Sequence, residues 1–134
     1  MLADVRTIAG PQAELITDHT ADRFDILPLL VATDGAIAAF GRDGRRLRPN
    51  LVIGGVEGLA ERQWPGRKLR IGGVTIDVDS LRGRCVMTTY DPDTQVQDRS
   101  VLKDIVKRFG GELALNCSTE NSGVIELNQK VELL

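Results

Sequence analysis

Cys85 carries most of the chemistry available to this chain. It lies in Arg84-Cys85-Val86-Met87-Thr88-Thr89-Tyr90-Asp91-Pro92-Asp93-Thr94, with a second arginine, Arg82, close by. Positive charge beside a thiol favours the thiolate, the form that attacks electrophiles and binds metals. Arginines cluster at Arg42, Arg45, Arg46 and Arg48, and again at Arg67, Arg70, Arg82 and Arg84. Clusters of this kind suit a compact anion such as phosphate, which guanidinium grips with two prongs. Taken singly, each arginine is an ordinary solvated charge, and a lone free cysteine is usually a small buried hydrophobe. The other cysteine, Cys117 in Leu115-Asn116-Cys117-Ser118, reads as packing. The single histidine, His19, lies between Asp18 and Asp22, where it would titrate near neutrality without being part of any pattern. Neither a Ser/His/Asp triad nor a zinc site can be assembled from these residues.

The elements that must position Cys85 can be read from patterning. Ala13–Thr17 is predicted as a short strand. Ile26–Ala32 is a β-branched and leucine-rich run interrupted by Pro28, which suits a strand start. Thr33 follows as an N-cap, with Asp34 in the first turn of a short helix whose apolar face is Ile37, Ala38 and Phe40; Gly41 or Gly44 ends it. Pro49 opens a strand through Leu51–Ile53. Trp64-Pro65-Gly66 is a turn, with Trp64 as a hydrophobic plug. Leu69–Ile71 and Val74–Val78 alternate apolar with polar around Gly72-Gly73, which predicts a tight hairpin; Asp77 and Asp79 fall on its wet face. Arg84–Tyr90 is expected to be a strand, closed by a turn at Asp91–Thr94 in which Asp91 bonds forward. Ser100 caps the clearest helix, with Val101, Leu102, Ile105, Val106 and Phe109 on one face and Gly110 as its stop. Strands at Leu113–Cys117, Val124–Leu127 and Lys130–Leu133 finish the chain. Eight to ten strands with two short helices predict a mainly β fold, an antiparallel barrel.

Length and composition fit one domain, residues 1–134, with 42% hydrophobic and 27% charged residues. A net charge of −2 gives no general nucleic-acid footprint. No apolar run reaches the ~20 residues of a membrane span, there is no signal-peptide pattern, and two cysteines form no disulfide framework. A cytoplasmic protein is expected.

The motifs resemble the MOSC domain, the C-terminal domain of molybdenum-cofactor sulfurases. The resemblance runs in order through Leu27–Val31, Arg48-Pro49-Asn50-Leu51-Val52-Ile53, the segment from Glu61 and Trp64 to Leu69-Arg70-Ile71-Gly72, the Cys85 segment with its Asp91-Pro92 turn, and Gly123–Val131. It covers about residue 26 to the C-terminus. It implies a β-barrel of the pyruvate-kinase type and a site for the molybdenum cofactor, a molybdopterin. Carried over residue by residue, Cys85 becomes the metal or sulfur ligand, Arg48 and Asn50 hold the pterin or its phosphate, and Thr88 and Thr89 make polar contacts near the metal. Thiolate is a soft ligand of the kind molybdenum favours. Departures from the family pattern are Arg82, where some members carry a second cysteine, and Asn128-Gln129, where Gly-Asp is usual. The family's cofactor-binding enzymes also carry an N-terminal domain with further basic contacts, for which 134 residues leave no room. Three functions follow. The first is a cofactor-binding or sulfur-carrier module serving a molybdenum enzyme or sulfurtransferase. The second is a reductase of N-hydroxylated small molecules fed by an electron-transfer partner. The third is a non-catalytic interaction barrel, which requires Cys85 to be buried far from Arg48.

Overall fold

A computed structural model describes Thr7, residues 10–12 and residues 26–134. The predicted strand at 13–17 and the His19 segment lie outside the described residues.

Over residues 26–134 the order is β1 (Leu29–Thr33), α1 (Asp34–Phe40), β2 (Leu51–Ile53), β3 (Lys68–Ile71), β4 (Val74–Gly83), α2 (Ser100–Phe109), β5 (Glu112–Thr119) and β6 (Val131–Leu133), with 3-10 turns at Gly44–Leu47, Ala60–Gln63 and Val86–Thr89. The six strands form one sheet in the order β2-β1-β5-β4-β3-β6. Its two edge strands face each other across a pocket lined from both sides, so the sheet is a nearly closed barrel. Over residues 26–134 the class is mainly β with two α-helices, as the sequence indicates. The sheet is mixed rather than wholly antiparallel, because β1 and β2 pair parallel, with Val31 opposite Leu51. A parallel pair needs a crossover, and α1 with the following basic turn supplies it.

Local chemistry explains most elements. The Thr33 hydroxyl accepts from the Ala36 amide, and Gly41 closes α1 in the left-handed region at φ 72°. The face that α1 buries is Ala36 and Phe40; Ala38 is exposed. The β3–β4 hairpin pairs Ile71 with Val74, and Gly72 takes φ 56°. Along β4, Val74, Ile76 and Val78 point into the core while Thr75 and Asp77 do not. Cys117 and Trp64 are both buried in the barrel core. A second cluster, from Phe40 and Leu47 to Ile105 and Leu113, lies under the helices. Arg108 ties these helices together. It donates to the Ala39 and Phe40 carbonyls at 2.6 and 2.9 Å, at the negative end of α1, while Asp104 grips its guanidinium. Asp98, rather than Ser100, supplies the oxygen at the start of α2, accepting from the Ser100 amide and hydroxyl.

Two predicted strands are absent. Residues 84–90 leave the sheet after Gly83, and residues 124–127 turn back on themselves. In the second segment the Gln129 amide donates to the Glu126 carbonyl, its side-chain oxygen accepts from the Glu126 amide, and Asn128 takes φ 64°. Val124 and Leu127 stay 84% and 95% exposed, so no burial rewards pairing them.

Glu61 is a buried acid on the 3-10 turn before Trp64. Its Oε2 has no partner among the described residues. Burial pushes its pKa up, against bonds from its own backbone and the Thr33 side chain. A carboxyl raised in the folded state adds stability while protonated and loses it as pH rises through the folded pKa. Glu61→Gln removes that titration. Its melting temperature relative to the parent is expected to improve between pH 4.5 and pH 7.5, and a difference that stays constant across this range contradicts the assignment.

Candidate cofactor site

The placement of Cys85 begins with a bulge. Leu81 pairs with Leu115, but Gly83 pairs with Glu112, so two residues of β5 oppose one of β4. Ala114 sits in this bulge at φ 73°, a left-handed conformation unusual outside glycine. The bulge ends the ladder, and the Arg84 amide makes one last bond to the Gly111 carbonyl at 2.8 Å. Cys85 is extended at φ −125°, ψ −178°, and heads the 3-10 turn Val86–Thr89. The Thr88 hydroxyl donates to the Cys85 carbonyl at 2.9 Å, and the Thr89 hydroxyl to the Val86 carbonyl at 2.6 Å. These local bonds offer the chain an alternative to a strand ladder. The turn Asp91–Thr94 then forms as expected, with Asp91 Oδ1 accepting from the Asp93 and Thr94 amides.

Cys85 is exposed. It opens onto a pocket of about 390 Å³ that Arg48, Asn50, Arg82 and Arg84 also line, with Leu27, Leu30, Leu47 and Met87 as apolar wall. No acidic residue lines it among the described residues. Arg48 sits at φ 54°, where its amide bonds the Arg45 carbonyl and closes the preceding 3-10 turn. Its guanidinium makes no ion pair or hydrogen bond with a described residue. Asn50 stitches β1 to the start of β2: its amide donates to the Leu30 carbonyl at 2.8 Å and its Oδ1 accepts from the Leu30 amide at 2.7 Å. Only its side-chain NH2 remains for a guest.

Arg82 donates to Asn116 Oδ1 at 3.2 Å. Arg84 donates from Nη2 to the Leu47 carbonyl at 2.6 Å, while its Nε and Nη1 are buried without a partner among the described residues. Burial, reinforced by the charge of Arg82, pushes the Arg84 pKa down to about 10, and Cys85 opposes the shift. Arg84 is therefore still a cation at neutral pH, held where a neighbouring anion relieves it. Cys117 is the contrast: burial pushes its thiol up to about 12, which leaves it inert.

The structure thus brings Cys85, Arg48 and Asn50 to one pocket. Thr88 and Thr89 do not line it: both are buried, their hydroxyls turned to backbone carbonyls. Arg82 and Arg84 belong to an arginine cluster that the sequence already marks as suited to a compact anion, and both line the pocket. Leu30 and Met87 carried no signal of their own.

Comparison with known proteins agrees with this architecture. The family model for the MOSC domain matches residues 36–132, and the chain belongs to that family. Among curated proteins it is similar to human mitochondrial amidoxime reducing component 2, 33% identical over 91 residues, covering 63% of this chain and 27% of that protein. Human mitochondrial amidoxime-reducing component 1 is 31% identical over 91 residues, covering 63% of this chain and 26% of that protein. The mouse component 1 is 30% identical over 129 residues, covering 82% and 37%. The chain therefore spans about a quarter to somewhat over a third of the length of these relatives.

Proposed function

We propose that this chain is a molybdenum-cofactor-binding module, with Cys85 as the sulfur ligand and Arg48, Asn50, Arg82 and Arg84 as the seat of the anionic pterin. The observation that carries the reading is the exposed thiol in a pocket lined by three arginines and no acid. The donor set fits such a guest. A thiolate is a soft ligand, the Arg48 guanidinium pairs with no described residue, and the buried Arg84 holds two donors without a partner among the described residues. When bound, the cofactor would supply two-electron redox chemistry at molybdenum. The chain's own residues do the rest. Arg48 and Asn50 orient the phosphate end, beside the cations of Arg82 and Arg84. Thr88 and Thr89 fix the turn that presents Cys85. In the sulfur-carrier form of the same reading, in a reducing cytoplasm, the Cys85 sulfur attacks the outer sulfur of a sulfurtransferase persulfide, the donor S–S bond breaks with the donor cysteine leaving as thiolate, and Cys85 becomes the persulfide.

The second reading is a reductase of N-hydroxylated molecules fed by an external electron-transfer protein. It draws support from the relatives, which are named as amidoxime reducing components. The non-catalytic reading needed Cys85 sealed away from Arg48, and the shared pocket speaks against it.

The test is to express the chain together with molybdopterin synthesis and measure molybdenum and oxidised pterin in the purified protein. Both should be present in comparable amounts. A folded chain that carries neither overturns the reading.

A further inference from the structure

The apolar face predicted for α2 is wider than the stripe the core uses. Val101, Ile105 and Phe109 are buried, but Leu102 is only half-buried and Val106 is 56% exposed. Together with Val86 they floor a groove of about 480 Å³ between α2 and the 3-10 turn that Cys85 heads. Arg99 and Lys103 stand on its rim, and Lys107 follows one turn further on. The spacing i, i+4, i+8 puts all three cations along one side of the helix. None of them makes an ion pair with a described residue, whereas Arg42, Arg45, Arg46, Lys68, Arg70 and Arg108 all do. Arg99 sits at the N-terminal end of α2, where a cation opposes the helix dipole. Helix stability gives no reason for it to be there. The overall charge is −2, so this stripe is local and set against the balance of the molecule.

We propose that this groove docks an acidic amphipathic helix of a partner protein, with apolar side chains on Leu102, Val106 and Val86 and carboxylates against Arg99, Lys103 and Lys107. The chemistry is that of a helix laid in a groove, read by apolar anchors and fixed in register by rim charges. Val86 follows Cys85 directly in the chain, yet the groove and the Cys85 pocket share no lining residue. The inference stands on the groove alone and holds whether or not the chain binds molybdenum.

The test uses a fluorescein-labelled helical peptide of roughly 18 residues, about five turns, with leucines at i, i+3, i+4 and i+7 and glutamates at i, i+4 spacing. A lysine-for-glutamate version and vesicles of phosphatidylserine and phosphatidylcholine run beside it. The acidic peptide is expected to bind, more weakly at high salt, and the lysine version not to bind. Arg99→Glu with Lys103→Glu should weaken binding about tenfold or more; Arg99→Lys with Lys103→Arg should preserve it. All four changes are on exposed positions, and the melting temperature of each variant verifies the fold. No binding, binding indifferent to charge reversal, or capture by the vesicles while the peptide is ignored would each overturn the proposal, the last in favour of an anionic membrane surface.

Discussion

A Cys85→Ser chain is expected to purify with essentially no molybdenum while keeping its fold. The Cys85 side chain is exposed, so the substitution should change stability by no more than about 0.5 kcal/mol. The functional loss should nonetheless be complete, because a serine hydroxyl stays protonated at neutral pH and is a hard oxygen donor, whereas the proposed ligand is a soft anionic sulfur. Alkylation provides an independent measurement. Iodoacetamide should modify the native chain once, at Cys85, and twice after unfolding, because Cys117 is buried with its pKa pushed up to about 12. The singly alkylated chain should also fail to take up molybdenum. Undiminished metal in Cys85→Ser would remove the thiol from the site and leave the arginines as a general anion pocket.

Gly35→Ala is expected to be the most damaging single methyl group that can be added to this fold at the start of α1. A Cβ at Gly35 would lie 2.3 Å from the carbonyl oxygens of both Val56 and Gly58, and neither oxygen can rotate away as a side chain would. The loop they belong to is pinned by Asp34, which accepts from the Gly55 amide at 2.7 Å and the Val56 amide at 2.9 Å. These same bonds hold the Asp34 carboxyl below its ordinary pKa. Overpacking against yielding side chains costs about 1–3 kcal/mol, and rigid backbone places this case at or above the upper end. Chemical denaturation should show a loss of about 3 kcal/mol or more, a large part of the stability of a domain this size. Gly73→Ala, which meets nothing within 4 Å, is the control for adding a methyl group, in the β3–β4 hairpin turn. A Gly35→Ala chain as stable as its parent would mean that the α1 start and the 55–58 loop are not packed as described.

Much of the fold was legible because its signals are local. Thr33 and Gly41 bracket α1, Gly72-Gly73 makes the hairpin, and Gly110 stops α2, each through bonds or torsions within a few residues. The segment 84–90 was misread for the same reason. Its β-branched residues carry strand propensity, but the side chains of Thr88 and Thr89 bond back to the main chain, and the bulge at Ala114 has already ended the pairing partner. Residues 124–127 have a strand-like composition, but Ile125 alone packs against the core while Val124 and Leu127 stay in solvent. The parallel pairing of β1 with β2 was also hidden, since register across a crossover depends on where the intervening helix packs.

The site divides along the same line. Residue order alone marked Cys85, Arg48 and Asn50 and put two arginines beside the thiol, because charge and nucleophilicity belong to side chains wherever they fold. That Cys85 is open to solvent, that Arg48 reaches its pocket from the end of a turn more than thirty residues earlier, and that Thr88 and Thr89 are turned inward were decided only when the barrel closed. Exposure and distance are set by long-range packing, and no spacing along a chain encodes which strands the sheet will bring together.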